Sequence, residues 1–343
     1  MSGEADLDKH RTDSSGHLAE SVPVIDIADL AGGAGVSGNK SVREIAEAAR
    51  QWGFFQVINH GIPDTLIDAV WKQTKSFFAL PMDSKEAILR TRENPWGYYN
   101  NELTKNQRDK KEVFDYTSEG SDSIYHASNR WPDFDSQFRT VMEEYRDACV
   151  RLSLHLLEAF SCGLGLPADF LNAQFDPLHT GFIRLNYYPV KDPLQYRSDI
   201  VHMDDAGLGV HHHTDAGALT VLLQDEVGGL QVYKDGNWHD VPSVKGALVI
   251  NTGDMMQVWS NDVYRAAIHR VLAMDVRDRY SIPFFYNPAA GTVVSPLPAV
   301  VTQQNPAHYR SINWSEYRGS RTDGDYADYG AEVQISQFQI QAK

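Results

Sequence analysis

The sequence predicts a mixed α/β, mainly β protein: a sandwich or jelly roll of short strands, with flanking helices that include one long brace. Three observations predict it. From Gly181 onward, short runs of strand-forming residues are separated by turn signals such as Gly228-Gly229 and Asp235-Gly236-Asn237, with no long helix between them. Upstream, Phe138, Val141, Met142, Tyr145, Cys149, Leu152, Leu156, Phe160 and Gly163 keep three-four spacing, the stripe of one amphipathic helix lying against the outside of a sheet. The 343 residues, 42% hydrophobic and 11% aromatic, suffice for a sizeable core.

The remaining elements follow in order. Residues 1–21 are polar and expected to form a disordered tail. Val22–Asp26 reads as a strand, residues 31–39 as a Gly-rich loop, and Ser41-x-x-Glu44 as a capping box. The helix it opens carries Ile45, Ala48, Ala49 and Trp52 on one face and ends at Gly53. Phe54–Asn59 is a strand, His60 is a turn histidine with a structural hydrogen bond, and Pro63 starts a second helix around Leu66, Val70, Phe77 and Phe78. Between Asn94 and Tyr116, Trp96-Gly97-Tyr98-Tyr99 suits either a packed hairpin or a pocket wall, and the charge run Arg108–Glu112 reads as a solvated face. Strands are expected at Phe182–Pro189, Leu219–Gln224, Leu230–Lys234, Trp238–Val241 and Ala247–Asn251, with Arg279–Tyr286 closing the sheet. Arg310–Arg321 reads as helix, and the tail beyond Asp323 as loosely packed. The chain thus divides into the tail 1–21, an N-terminal region 22–120 packed on the core, and the brace and barrel core 121–343, together one structural unit.

A net charge of −15 excludes nucleic acid and anionic membranes as expected partners. No apolar run approaches the roughly 20 residues of a membrane span, and the N-terminus lacks the apolar core of a signal peptide. Cys149 and Cys162 fall on one helix, about 20 Å apart at 1.5 Å per residue, too far for a disulfide. Free thiols suit a reducing, cytoplasmic location.

The chemistry concentrates between Gly209 and Tyr286. His213 and Asp215 are two apart, so on a strand both side chains reach the same face. His269, on a second strand, completes two imidazoles and one carboxylate, the facial triad that leaves other positions of a non-haem Fe(II) open. A closed structural zinc site would need a fourth protein ligand. Arg279 and Ser281 again share a face, and a guanidinium beside a hydroxyl suits a carboxylate. His211 shares the face of His213 and is expected at the rim, His212 faces away, and Asp254 is a turn residue. His202, Asp204 and Asp205 are assigned to a solvated loop lip.

His213-Thr214-Asp215, then His269-Arg270-Val271, then Arg279-Tyr280-Ser281 resembles the 2-oxoglutarate/Fe(II) dioxygenase superfamily, in the class of isopenicillin N synthase and the flavonoid and gibberellin oxygenases. The N-terminal phrase from Trp52 to Pro63, WGFFQVINHGIP, carries the same resemblance. The resemblance implies a double-stranded β-helix (jelly-roll) core, Fe(II) as metal, and 2-oxoglutarate and dioxygen as co-substrates. It also implies hydroxylation, desaturation or ring closure of a small molecule in specialised metabolism. Within Asn186-Tyr187-Tyr188-Pro189 it implies co-substrate contacts for Asn186 and Tyr188, and it places the Tyr98-Tyr99 region at the substrate pocket. With Phe285, these tyrosines suggest an aromatic pocket wall. Two alternatives stand beside this reading. One is an isopenicillin N synthase-like oxidase in which Arg279 and Ser281 grip the substrate itself. The other is a non-catalytic barrel that binds a small molecule.

Overall fold

The computed structural model describes residues 21–30, 38–104, 107–119, 124–176, 178–191, 208–324 and 333–340. The expected N-terminal tail, most of the Gly-rich loop, the lip with His202, Asp204 and Asp205, and the start of the C-terminal tail lie outside them. The elements are β1 (Val24–Asp26), α1 (Lys40–Gln51), β2 (Phe54–Ile58), α2 (Asp64–Phe78), α3 (Met82–Glu86), β3 (Gly97–Tyr99), β4 (Leu103–Thr104), β5 (Gln107–Arg108) and β6 (Glu112–Thr117). Then come α4 (Ser136–Gly163), β7 (Phe182–Tyr188), β8 (Leu208–His213), β9 (Leu219–Gln224), β10 (Leu230–Lys234), β11 (Asn237–Asp240), β12 (Leu248–Thr252) and α5 (Asp254–Trp259). The chain continues through β13 (His269–Leu272), β14 (Arg279–Tyr286), β15 (Val293–Val294), β16 (Ile312–Asn313) and α6 (Trp314–Gly324).

Two sheets dominate: one in the order β1-β2-β12-β9-β14-β7-β6-β3 and a smaller one in the order β11-β10-β13-β8. β14 therefore does not close the sheet. It lies inside it, antiparallel to both β9 and β7. Period two divides the large sheet into faces. Leu219, Val221, Leu223, Ile282, Phe284, Ile183 and Leu185 point outward into a core shared with α1, α2 and α4. Their neighbours Leu222 and Tyr188 point inward and pack with Val210, Leu230, Val232 and Val271 of the small sheet. The jelly roll thus has one core between sheet and helices and another between its two sheets.

The brace runs over Ser136–Gly163, its N-terminus capped by Asp135, whose carboxylate accepts the Gln137 N–H. Cys149 is buried and Cys162 half-buried on it, both free. The Ser41 capping box does not form. The helix starts at Lys40, Asp29 accepts the Ser41 N–H at 3.4 Å, and the buried Ser41 hydroxyl meets no partner among the described residues. Asp29 is remote in sequence, so the local motif lost to a tertiary acceptor. The last helix begins at Trp314 rather than Arg310 because Ile312 and Asn313 pair with β15 first. His60 Nδ1 accepts the Ile62 N–H at 3.2 Å, as a turn histidine should.

Candidate active site

The register between the sheets assembles the triad. His269 of β13 stands opposite His213 of β8, with ring centroids 4.3 Å apart, and Asp215 follows just beyond the end of β8. One ligand atom from each residue lies within 4.8 Å of the others. Each histidine has its Nδ1 against a backbone carbonyl, His211 O at 2.8 Å for His213 and Ala267 O at 3.0 Å for His269. A carbonyl only accepts, so Nδ1 carries the proton and Nε2 the lone pair. Both Nε2 atoms are 3.6 Å from Asp215 Oδ1. The other carboxylate oxygen, Oδ2, accepts from Thr220 Oγ1 at 2.5 Å and Asn251 Nδ2 at 2.7 Å. Three lone-pair atoms therefore converge, each with its other polar atom already bound. That donor set fits a divalent metal with open positions.

Electrostatics agree. Burial opposes charge on Asp215, but the adjacent imidazoles and the Thr220 hydroxyl outweigh it and hold the carboxyl below the usual range. Burial, reinforced by His213, pushes His269 down to about 4, so it stays a neutral ligand near pH 7.

Packing fixes the Asp215 backbone. Gly253 sits where a Cβ would come within 2.4 Å of Gly217 O and 2.8 Å of Asp215 O. Asp254 donates its N–H to Asp215 O at 2.8 Å and accepts the Tyr317 hydroxyl at 2.7 Å. The turn residue Asp254 thereby ties the metal-side loop to α6.

Two chambers open from the triad, both touching His213 and Asp215. The inner one lies between the sheets and is lined by Asn186, Tyr188, Leu222, Arg279, Ser281 and Phe285 among others. Arg279 pairs with Tyr188 and Ser281 with Asn186 across β14 and β7. Arg279 is buried, its Nε donates to Gly228 O at 2.7 Å, and its guanidinium lies 4.9 Å over the Tyr188 ring. Its Nη1 is buried without a partner among the described residues, as is Asn186 Oδ1, while Asn186 Nδ2 donates to Ser281 Oγ at 3.3 Å. An unpaired buried guanidinium N–H costs free energy unless something supplies an acceptor. A carboxylate at the far end of a chelate such as 2-oxoglutarate fits that requirement.

The outer chamber is lined by Lys111, Phe182, Arg184, Phe285, Trp314 and Arg318, among others. Phe285 belongs to both chambers, but Tyr98 and Tyr99 line neither. This corrects the expected pocket wall. Tyr98 faces the helices, fully buried, and donates its hydroxyl to Glu112 at 2.7 Å, while Tyr99 packs under the Arg90 guanidinium, 4.8 Å away. Pairing of β3 with β6 sets this parity: Tyr98 stands opposite the core residue Phe114.

The charge run is also not a solvated face. Asp109, Lys111 and Glu112 are buried. Glu102 meets Arg90 at 2.6 Å, Lys111 at 2.6 Å and Arg184 at 2.8 Å, Lys111 meets Asp109 at 2.9 Å, and Asp115 pairs with Arg90 and Arg184. His211, expected at the rim, is instead buried and lines neither chamber, with its Nδ1 3.2 Å from Asp109. Burial opposes the charge of Glu102, but Arg184, Lys111 and Arg90 hold its carboxyl well below the usual range. Glu102→Ala removes the carboxylate shared by Arg90, Lys111 and Arg184, leaves the cluster with one positive charge in excess, and is expected to cost about 3–5 kcal/mol. Urea unfolding checks this, and a loss under about 1 kcal/mol would show the cluster to be solvated in practice.

Sequence reasoning missed Thr220, Asn251, Arg184 and Arg318. Thr220 and Asn251 were legible in part, since period two turns both inward. The Trp314, Arg318, Arg321 spacing on one helix face was a further available signal.

Comparison with known proteins agrees with this geometry. Residues 179–288 match the 2OG-Fe(II) oxygenase superfamily, and residues 22–134 match the non-haem dioxygenase in morphine synthesis N-terminal region. Jasmonate-induced oxygenase 2 of Arabidopsis thaliana is 33% identical over 325 residues, 93% of this chain and 84% of that one. Feruloyl CoA ortho-hydroxylase 1 of the same plant is 36% identical over 305 residues, covering 87% and 78%. The crystal structure of JOX2 in complex with 2OG, Fe and JA superimposes with a TM-score of 0.77 at 30% identity, covering 94% of each chain.

Proposed function

The chain belongs to the 2OG-Fe(II) oxygenase superfamily and is an Fe(II)/2-oxoglutarate-dependent dioxygenase acting on a small organic molecule; from that premise we propose which residues carry the reaction. His213, Asp215 and His269 hold the iron, and Arg279 and Ser281 anchor the distal carboxylate of 2-oxoglutarate, with Asn186 and Tyr188 beside them. The observation that carries the co-substrate assignment is the buried Arg279 Nη1, without a partner among the described residues, in a chamber that also touches the triad.

Iron bound there supplies the redox chemistry that couples dioxygen-driven decarboxylation of 2-oxoglutarate, to succinate and carbon dioxide, to oxidation of the substrate. The protein's own residues bind, orient and exclude water. Thr220 and Asn251 fix Asp215 Oδ2, so that Oδ1 faces the histidines. The carbonyls of His211 and Ala267 fix both tautomers. Tyr188 packs against the Arg279 guanidinium and holds its plane. Leu222, Leu230 and Val271 dry the inner chamber, which strengthens the contact between Arg279 and a carboxylate. Phe285, shared by both chambers, separates the co-substrate side from the outer chamber, where the substrate binds.

No helix among the described residues is long and apolar enough to cross a membrane. The free thiols of Cys149 and Cys162 support a cytoplasmic setting, and small-molecule oxidation in specialised metabolism is the proposed role. Anaerobic titration of the Fe(II) protein with 2-oxoglutarate tests the assignment. A saturable visible charge-transfer band is expected, and it should weaken in Arg279→Ala. An iron-loaded protein that gives no band would favour the oxidase reading, in which Arg279 and Ser281 hold the substrate.

A further inference from the structure

We propose that the substrate is a carboxylic acid, held by Arg318 with its apolar body against Phe182 and Phe285; this rests on the outer chamber being the substrate chamber. The argument is one of charge accounting. Helix α6 turns Trp314, Arg318 and Arg321 to the chamber at i, i+4 and i+7. Arg321 is engaged, donating to Thr214 O at 2.9 Å and Val333 O at 3.3 Å. On the opposite wall, Lys111 and Arg184 belong to the buried cluster in which Arg90, Lys111 and Arg184 face Glu102, Asp109 and Asp115. Among the described residues these three cations and three carboxylates balance, so the cluster asks for no anion.

Arg318 stands outside it. Its guanidinium lies 4.9 Å over the Phe182 ring, and among the described residues no carboxylate pairs with it. Phe182 in turn stacks on Phe285 with centroids 4.8 Å apart. A guanidinium laid on an aromatic face is held in orientation by the ring and still offers its fork of N–H donors at the edge. That fork matches the two oxygens of a carboxylate. A phosphate would call for further unspent donors, and on this chamber's wall Trp314 Nε1 donates to Thr180, Arg321 to backbone carbonyls, and Lys111 and Arg184 to the carboxylate cluster. Phe285 also borders the triad chamber, so a molecule anchored at Arg318 and lying along the two rings directs its far end toward the metal side.

Equilibrium binding to the anaerobic Fe(II)/2-oxoglutarate protein tests this, with indole-3-acetate and 3-phenylpropanoate as probes against their primary amides. Perturbation of the charge-transfer band or a thermal shift reports binding without turnover. At least one acid should bind at least tenfold tighter than its amide, and Arg318→Gln should erase that preference while the 2-oxoglutarate band stays as in the parent. Equal binding of acid and amide, failure of both acids to bind while the band is intact, or a preference that survives Arg318→Gln would overturn the proposal. A missing band with the acid preference retained would instead sink the co-substrate assignment alone, because Arg318 does not touch the inner chamber.

Discussion

Asp215→Ala is expected to abolish iron retention and to bring turnover down to background. Asp215 provides the sole carboxylate of the triad, 3.6 Å from both imidazole Nε2 atoms. Without it two neutral imidazoles remain, and Thr220 and Asn251 lose their shared acceptor. Iron content after desalting, with circular dichroism as a check on folding, separates loss of metal from loss of fold. Full activity in this variant would refute the triad. Asn251→Ala gives a graded companion. It leaves all three ligands but frees Asp215 Oδ2 on one side, and outer-shell partners of metal ligands are typically worth roughly 10–100-fold in affinity or activity. An Asn251→Ala enzyme equal to the parent would show that Thr220 alone orients the carboxylate.

Arg279→Ala is expected to raise the apparent Michaelis constant for 2-oxoglutarate steeply while the protein still retains iron. Removing one partner of a buried, hydrogen-bonded charge pair costs about 2–5 kcal/mol, or roughly 30-fold to several thousand-fold in affinity. Arg279 meets the conditions for the upper part of that range. It is 1% exposed, its ring neighbour Tyr188 holds its plane, and its Nη1 has no acceptor among the described residues. Arg279→Lys keeps the charge but loses the fork and the Nε bond to Gly228, so it should fall between parent and alanine variant. An unchanged constant in Arg279→Ala would place the anchor elsewhere.

The chain's periodicities carried most of this. The two-residue alternation of Arg279 with Ser281 and of Phe182 through Tyr188 places side chains on the inner face of a strand wherever that strand lies. The three-four stripe of α4 specifies a helix with one buried side. The H-x-D pair is likewise local, because both residues come from one short stretch. These features depend on backbone geometry within a few residues, so the sequence by itself determined most of the barrel strands, the brace and the shared face of Arg279 and Ser281.

What only the tertiary structure decided are the meetings of segments far apart in the chain. The Ser41 motif gave way to Asp29, whose acceptor is supplied by folding rather than by the helix itself. The run Arg108–Glu112 has the composition of a solvated face, yet Glu102, Arg90 and Arg184 converge on it and offset the cost of burying its charges. Tyr98 turned to the helix side because β3 pairs with β6 in one register, and a shift of one residue would have turned it to the other face, where Tyr99 packs against Arg90. His269 reaches His213, and Arg318 lies over Phe182, through sheet pairing and helix docking. Local sequence sets conformation and face, but the partner of a buried charge is chosen by whichever distant segment the fold brings within about 3 Å of it.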